Sequence, residues 1–575
     1  MLVLLFAFGS LTAALLPAVV GGLAVAGTFV VLRLVAHVVP VSALASNITT
    51  ALGFGLAVDY GLFVVTRYRE ELADGALLAE AVSRTMRTAG RTVVYSAVTV
   101  AVCLSTLLLF PLGFLHSLAV AGISVAVIAA LVTVLLLPVL LSVIGTRIDR
   151  GDVFSPLRRR WNVRCAGRTL WHRTASLATG RPVLVGGSAL LLLLTLALPF
   201  THVRFGVTDE RVLPEWAESH ATATRIAREF PLPWNRTMTV LLPDIDAVDR
   251  QDALDTYARK ISALPGVREV SAAGGRYARG RQAAGPTMGS LRYITQGATW
   301  LEVTGSGSPA DDERVVESLR TLPSPGGHRL VAGRPARVLD TKNAVLRVVP
   351  WAWGIVIGSV LLLFFLFTGS VLIPVKAVLL GGLSLTASFG AMVHVFQDGH
   401  LRNVLGHFAV TGELETSMPV LVFGAAFALS VDYELFLVSR IQEEYRRSGD
   451  HRASVIKGVA HTGRTVTAAA AVLASALFPL VTSGITLLKL VGCGLALAVL
   501  VDATIVRGLL VPAFMQLTGH ANWWAPRPLA LLRRRPNSGR RTQRPHHSDV
   551  VLPSPGEGPA TGTDPYEKEV LGEHR

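Results

Sequence analysis

Ten apolar runs, each long enough to cross a bilayer, divide this chain and leave few fold classes open. A membrane-spanning helix needs about 20 residues at 1.5 Å rise per residue. Spans are predicted at 18–37, 47–67, 92–111, 118–144, 182–200, 350–368, 371–396, 416–438, 465–482 and 486–515. The opening MLVLLFAF reads as part of another helix. It is too short to cross, and it lacks the basic stretch and cleavage site of a signal peptide. Only 16% of the 575 residues are charged and 51% are hydrophobic, whereas a soluble domain carries about 25% charged residues.

The net charge of +15 raises the question of a nucleic-acid partner, and the placement of the charge answers it. Arg67, Arg69, Arg84, Arg87 and Arg91 follow the second run. Arg147 to Arg173 follow the fourth, Arg440 to Lys457 the eighth, and Arg527 to Arg541 the last. Counting crossings puts all four groups on one side, the cytoplasm, as the positive-inside rule requires. The charge therefore sets topology, and without interleaved aromatic and basic residues no nucleic-acid surface is expected. Cys103, Cys165 and Cys493 show neither pairing nor metal spacing.

The chain repeats itself. LLFAFGSLTAALLPAVVGGLAV (4–25) resembles LLFFLFTGSVLIPVKAVLLGGLSL (362–385), GLAVDYGLFVVTRYREE (55–71) resembles ALSVDYELFLVSRIQEE, and GRTVVYSAVTVAV resembles GRTVTAAAAVLAS. In the second pair Arg67 matches Arg440, Glu70 matches Glu443 and Glu71 matches Glu444. Two copies of one helical bundle, in parallel orientation, are a transporter architecture. The first copy begins inside the helix that, in the second, runs back to Pro350 and follows a polar domain and a further span. The comparison predicts a chain lacking one span, one extracytoplasmic domain and most of a helix, through a true truncation or a misassigned start. In-frame coding sequence upstream of Met1 would support the second.

Residues 201–347 are predicted to lie outside the cytoplasm and to read βαβ twice. The strands are TMTVLLP, VREVSAA, TWLEVTG and HRLVAG, and the helices DAVDRQDALDTYARKISAL and DDERVVESLRTL. His202, His220 and His328 are read as isolated surface histidines, so no metal site is expected. Neither a nucleophile–base pair nor a GxxxxGK[ST] loop is present, and no enzyme, cofactor or direct ATP drive is expected. The tail past Arg533 is rich in Pro, Gly, Ser and Arg and reads as disordered, with His546 and His547 outside any metal context.

The Asp-Tyr helix, SRIQEEY, TGRTVTAAA and LAVLVDATIVRGLLVPAFMQLTGHANWW together resemble the MmpL (mycobacterial membrane protein, large) transporters of the resistance-nodulation-division (RND) superfamily. The resemblance extends to about Pro528. It implies an α-helical polytopic membrane protein, a duplicated RND-type bundle of ten to eleven spans with one extracytoplasmic α+β porter-like βαβ-βαβ domain. The expected division is a first bundle half (1–145), a basic cytoplasmic loop (146–181), a span (182–200), the porter-like domain (201–347), a second half (348–518) and a cytoplasmic tail (519–575). It also implies outward movement of lipids or other amphipathic molecules across the plasma membrane, powered by protons. The alternative is a sensor or scaffold with a sterol-sensing-domain-like bundle, or an inactive remnant. Cargo and oligomeric state are not legible.

Asp59 and Asp432 are the residues that need explaining, because a charge at the centre of a bilayer helix costs about 2.5–3.5 kcal/mol on the mildest scale. Ala51 and Gly55 precede Asp59 at four-residue steps, and Gly424 and Ala428 precede Asp432. Each acid thus shares a face with small residues that admit another helix closely, and the expected neighbour is the other Asp-bearing helix. Crossed pairs, Asp59 with Tyr433 and Asp432 with Tyr60, are predicted. Buried there, the carboxyls would gain and lose protons as a relay, or merely join helices by hydrogen bonding. The family's Asp-Tyr proton site is consistent with the first. Ser96 is a further relay candidate, or bonds its own helix carbonyl. Asp502, Arg507 and Glu434 are secondary candidates: Asp502 with Arg507 either supports the acids or forms a structural ion pair, the reading preferred, and Glu434, where the first half has Gly61, is expected to point elsewhere in the bundle.

Overall fold

The computed structural model describes residues 2–38, 40–149, 163–206, 212–214, 216–229, 236–295, 297–306, 309–406 and 408–524. Most of the expected tail, with His546 and His547, and residues 150–162 of the basic loop lie outside the described residues. Among those described, ten helices are long and apolar enough to cross a membrane. They are Leu11–Val35, Ala43–Ala73, Leu78–Leu109, Gly113–Ile148, Pro182–His202, Arg334–Thr368, Leu372–Gln397, Ser417–Ser448, His451–Val481 and Thr486–Trp523, called the first to tenth spans below. Most outrun the apolar runs that announce them. The second and eighth continue for more than a turn into charged sequence, because charged side chains end the apolar surface without ending the backbone ladder. Leu2–Phe8 is a separate short helix, broken from the first span at Gly9, whose φ of 75° suits a residue without Cβ.

Between the fifth and sixth spans lies an α+β unit. Its elements include β1 (Thr237–Leu242), α1 (Gln251–Ser262), β2 (Val267–Ala272), β3 (Gly275–Ala278), β4 (Arg281–Ala284), β5 (Ala298–Gly305), α2 (Pro309–Thr321) and β6 (Leu330–Gly333), with a further helix at Glu218–Glu229 and a two-residue strand, Ile294–Thr295, against β5. Sheet order is β4-β3-β2-β5-β1-β6, with every neighbour antiparallel. The two βαβ units are therefore split, each crossover passing over a strand of the other. The β3–β4 hairpin adds to the pattern read from the sequence. Met238, Val240 and Leu242 alternate inward from β1 and meet Leu254, Ala258 and Ile261 of α1 and Val316 and Leu319 of α2. Asp312, at the start of α2, accepts a hydrogen bond from Arg236 Nε at 2.8 Å, yet burial pushes its carboxyl above the ordinary range. The sixth span starts at Arg334 directly after β6, inside the region expected to belong wholly to the polar domain.

The eighth span is anchored where the chain leaves the fifth span for the polar unit. Phe205–Gly206 pairs in parallel with Leu414–Glu415. Glu415 then accepts hydrogen bonds from the backbone N–H of Ser417 (3.1 Å) and Met418 (3.0 Å), satisfying donors that a helix N-terminus leaves open.

Candidate functional site

Three storeys of paired side chains join the second and eighth spans. Residues four apart share a helix face, so Asp59, Phe63 and Arg67 form one stripe and Asp432, Phe436 and Arg440 its repeat-related counterpart. In the middle storey Phe63 stacks on Phe436, with ring centroids 3.7 Å apart and planes 2° from parallel. The lower storey is a reciprocal clamp. Arg67 lies 3.1 Å from Glu443 Oε1, and Arg440 pairs with Glu70. Arg67 also holds Glu71 at 2.7 Å, and Arg440 holds Glu443 at 2.8 Å. Glu71 is buried, whereas the groups that cross between the spans are partly exposed, and exposed pairs contribute only about 0–1 kcal/mol each; the clamp across the spans fixes register more than it resists opening.

The upper storey carries the acids. Asp59, Tyr60, Asp432 and Tyr433 are all at most 1% exposed. The Tyr433 hydroxyl donates to Asp59 Oδ2, joining the two repeats. Its expected mirror image is absent, because Tyr60 does not reach Asp432. Instead the Ser96 hydroxyl, from the third span, donates to the Tyr60 hydroxyl at 2.9 Å and also neighbours the Asp432 carboxyl. Ser96 therefore spends its bond on the site and not on its own helix. One oxygen of each acid, Asp59 Oδ1 and Asp432 Oδ1, has no hydrogen-bond partner.

The tenth span supplies a cation that the repeat pattern did not associate with the tyrosines. Asp502–Leu510 is a π-helix, whose i→i+5 bonding brings residues five apart together, and Arg507 pairs with Asp502 across one such turn. Arg507 also donates to the Ser430 carbonyl at 2.9 Å, while the Ser430 hydroxyl donates to Asp502 at 2.8 Å. The Arg507 guanidinium lies 4.8 Å from the centre of the Tyr433 ring, within cation–π range. A continuous chain thus runs from Asp502 through Arg507 and Tyr433 to Asp59.

The small-residue faces do not pack on one another. A Cβ on Gly55 would strike the Leu473 side chain of the ninth span, and one on Gly424 would lie 3.4 Å from Leu107 at the end of the third. Ala51 and Ala428 are buried along the same faces. Each Asp-bearing helix admits closely the helix that follows its counterpart in the other half, and the Asp helices meet through long side chains. The other Asp-bearing helix, the expected neighbour, is therefore not what fills either notch. Gly55→Val is expected to destabilise the bundle by about 1–3 kcal/mol through overpacking, with Leu473→Ala in the same chain recovering part of the loss. Thermal unfolding in detergent measures both; an unshifted midpoint for the single variant would argue against the close approach.

Glu434 pairs with Lys376 of the seventh span, 2.8 Å off, and both are buried. A lone lysine within LIPVKAVLL was the sequence signal for this pair. Aligning Gly9-Ser10 on Gly369-Ser370 sets Leu16 opposite Lys376, and Gly61 already corresponds to Glu434. In the first half a Cβ on Gly61 would come 3.0 Å from the Pro17 backbone. Close apolar contact in one repeat thus becomes a buried ion pair in the other. Away from the bundle core, His202 proves not to be isolated, since its Nε2 lies 3.2 Å from Asp398 Oδ2. His220 bonds the Leu213 carbonyl at 3.0 Å.

The match to the model of the MMPL family covers residues 1–185 and 212–545. This chain belongs to the MMPL family. It is 38% identical to a membrane protein of Streptomyces coelicolor, over 92% of this chain and 70% of that protein. It is 34% identical to the trehalose monomycolate exporter MmpL3 of Mycolicibacterium smegmatis, over 91% of this chain and 53% of the exporter. The exporter of the same name from Mycobacterium tuberculosis is 33% identical, over 91% of this chain and 57% of its own length. The chain thus spans little more than half of either exporter. MMPL membership and ten apolar helices make it a multi-pass membrane protein of a transporter family.

Proposed function

We propose that this chain moves lipids or other hydrophobic small molecules outward across the plasma membrane, driven by protons taken up at Asp59 and Asp432. The observation that carries the proposal is the charge count of a dry interface. Asp59, Asp432 and Asp502 are all at most 3% exposed, and Arg507 is the guanidinium among them. Three carboxylates against one cation would leave two uncompensated negative charges in a low-dielectric core, which is strongly disfavoured. Proton occupancy is therefore the variable that the interface adjusts, and acids this close load stepwise.

Proton arrival changes bonding as well as charge. An ionised Asp59 only accepts, and Tyr433 donates to it. Once a proton bonds to a carboxylate oxygen, the group becomes a donor too, and the Tyr433 hydroxyl and the Arg507 guanidinium above its ring must re-pair. Tyr433 is on one repeat and Asp59 on the other, so the re-pairing acts on the contact between halves, while the lower clamp holds their register. Tyr60, Ser96 and Asp432 form the second loading site. Each proton falling through 100 mV releases about 2.3 kcal/mol. The basic ends of the spans are assigned to the cytoplasm, with the C-terminus, and the α+β unit to the other side. The naming of two relatives as exporters of trehalose monomycolate supports an amphipathic lipid as the class of cargo.

The test is reconstitution of the purified full chain into liposomes carrying a headgroup-labelled lipid. An imposed pH gradient is expected to drive label into the leaflet facing the α+β unit, and a protonophore to stop it. Equal movement with the gradient collapsed, or none with it imposed, would overturn the proposal.

A further inference from the structure

The seventh span ends in the sequence HVFQDGH, and the fold gathers its three ligand-type residues. His394 lies in a π-turn, Val393–Gln397, that closes the helix. Asp398 follows, and Gly399, with φ of 80°, turns the chain back in a left-handed conformation that a side chain would resist. That turn lays the His400 ring on His394, with centroids 3.9 Å apart and planes 6° from parallel. One ligand atom from each of His394, Asp398 and His400 falls within 4.8 Å of the others.

The surroundings hold this group in the way that outer groups hold metal ligands. His400 Nδ1–H donates to the His394 carbonyl at 3.0 Å, which puts the ring proton on Nδ1 and leaves the Nε2 lone pair for a ligand. His202, from the end of the fifth span, approaches the Asp398 carboxylate at 3.2 and 3.3 Å. Gln397 is buried and fixes the two segments of the chain relative to each other. Its Oε1 accepts from Arg204 N at 2.7 Å, and its Nε2 donates to the His202 carbonyl at 3.2 Å.

From this geometry we infer that His394, Asp398 and His400 form a binding site for a borderline divalent transition ion of the Zn²⁺ class, with His202 orienting the carboxylate. Imidazole and carboxylate donors suit that class over Mg²⁺ or Ca²⁺, which take oxygen ligands. Tetrahedral Zn²⁺ with bonds of about 2.0–2.1 Å sets donor atoms roughly 3.3 Å apart. The exposed side chains reach this from their present separation by rotamer adjustment. Three protein ligands leave the fourth position to water. Bound there, the ion would join the exit of the fifth span to the end of the seventh, next to the Phe205–Gly206 and Leu414–Glu415 pairing that leads into the Asp432 helix. The site is separate from the proton-loading acids, and the inference does not rest on transport.

The experiment is Co²⁺ titration of the purified full chain in detergent, without an affinity tag. His546→Ala and His547→Ala are present in every sample, so that the tail contributes no site. The expected result is saturable visible absorption of a tetrahedral Co²⁺ site, one per chain, displaced by Zn²⁺. His394→Gln with His400→Gln should abolish it, and His202→Ala should weaken binding about 10- to 100-fold as an outer partner does. These residues are exposed, and unchanged elution of each variant establishes that it folds. Absence of saturable absorption, or the same stoichiometry and affinity in the His394→Gln, His400→Gln chain, would overturn the assignment.

Discussion

Asp59→Asn is expected to reduce gradient-driven lipid movement to the level of protein-free liposomes, while the chain elutes and unfolds as the unaltered protein does. The amide matches the carboxylate in shape, and its oxygen still accepts from the Tyr433 hydroxyl. It cannot take up and release a proton, so the loading step is lost and the packing is kept. Asp432→Asn should behave alike from the other repeat. Tyr433→Phe separates bonding from loading. It removes the donor to a buried acid, at a cost of about 1–3 kcal/mol, and leaves the titratable group in place. Normal movement by either Asn variant would mean that the acids only join helices.

The second large effect concerns stability. Lys376→Leu should destabilise the bundle by about 3–5 kcal/mol, because it strands Glu434 as an unpaired buried charge. Lys376→Leu with Glu434→Gln removes both charges and should recover much of the loss, since replacing a whole buried pair is often neutral or favourable. Thermal unfolding in detergent gives both numbers. A double variant as unstable as the single one would show that packing volume, and not the stranded charge, sets the cost. Because the first repeat has Leu16 and Gly61 at these positions, the pair also marks where the halves cease to be equivalent, as the unequal bonding of Tyr433 and Tyr60 does.

Legibility from the sequence followed the range of each physical signal. Apolar length is local, and it located all ten spans; it fell short where charged turns extend a helix, as over 334–347, and also at uncharged ends such as 11–17 and 516–523. Strand alternation is local too, and it found β1, β2, β5 and β6 with α1 and α2; it did not give the helix Glu218–Glu229, and the short β3–β4 hairpin, rich in Arg and Gly, has no apolar alternation to read. The internal repeat singled out Asp59 and Asp432 as equivalents. Equivalence says nothing about which neighbour fills a notch, so the partners of Gly55 and Gly424 were misassigned. Strict symmetry also forecast a bond from Tyr60 to Asp432, where a serine present in the first repeat takes the tyrosine. Ser96 aligns with Ala469 in the second copy, so that asymmetry was readable. The Arg507–Tyr433 contact was not, because it depends on a π-turn whose register no 3.6-residue pattern reveals. The histidine cluster was missed for a related reason: HVFQDGH has the right residue types, but the stacking of its rings depends on a left-handed glycine.

Proton flow measured directly tests the central claim. Proteoliposomes holding the full chain and an enclosed pH-sensitive dye should admit protons when a gradient and labelled lipid are both present, and Asp59→Asn and Asp432→Asn should each stop that entry. Proton entry at an undiminished rate in either variant would contradict the account.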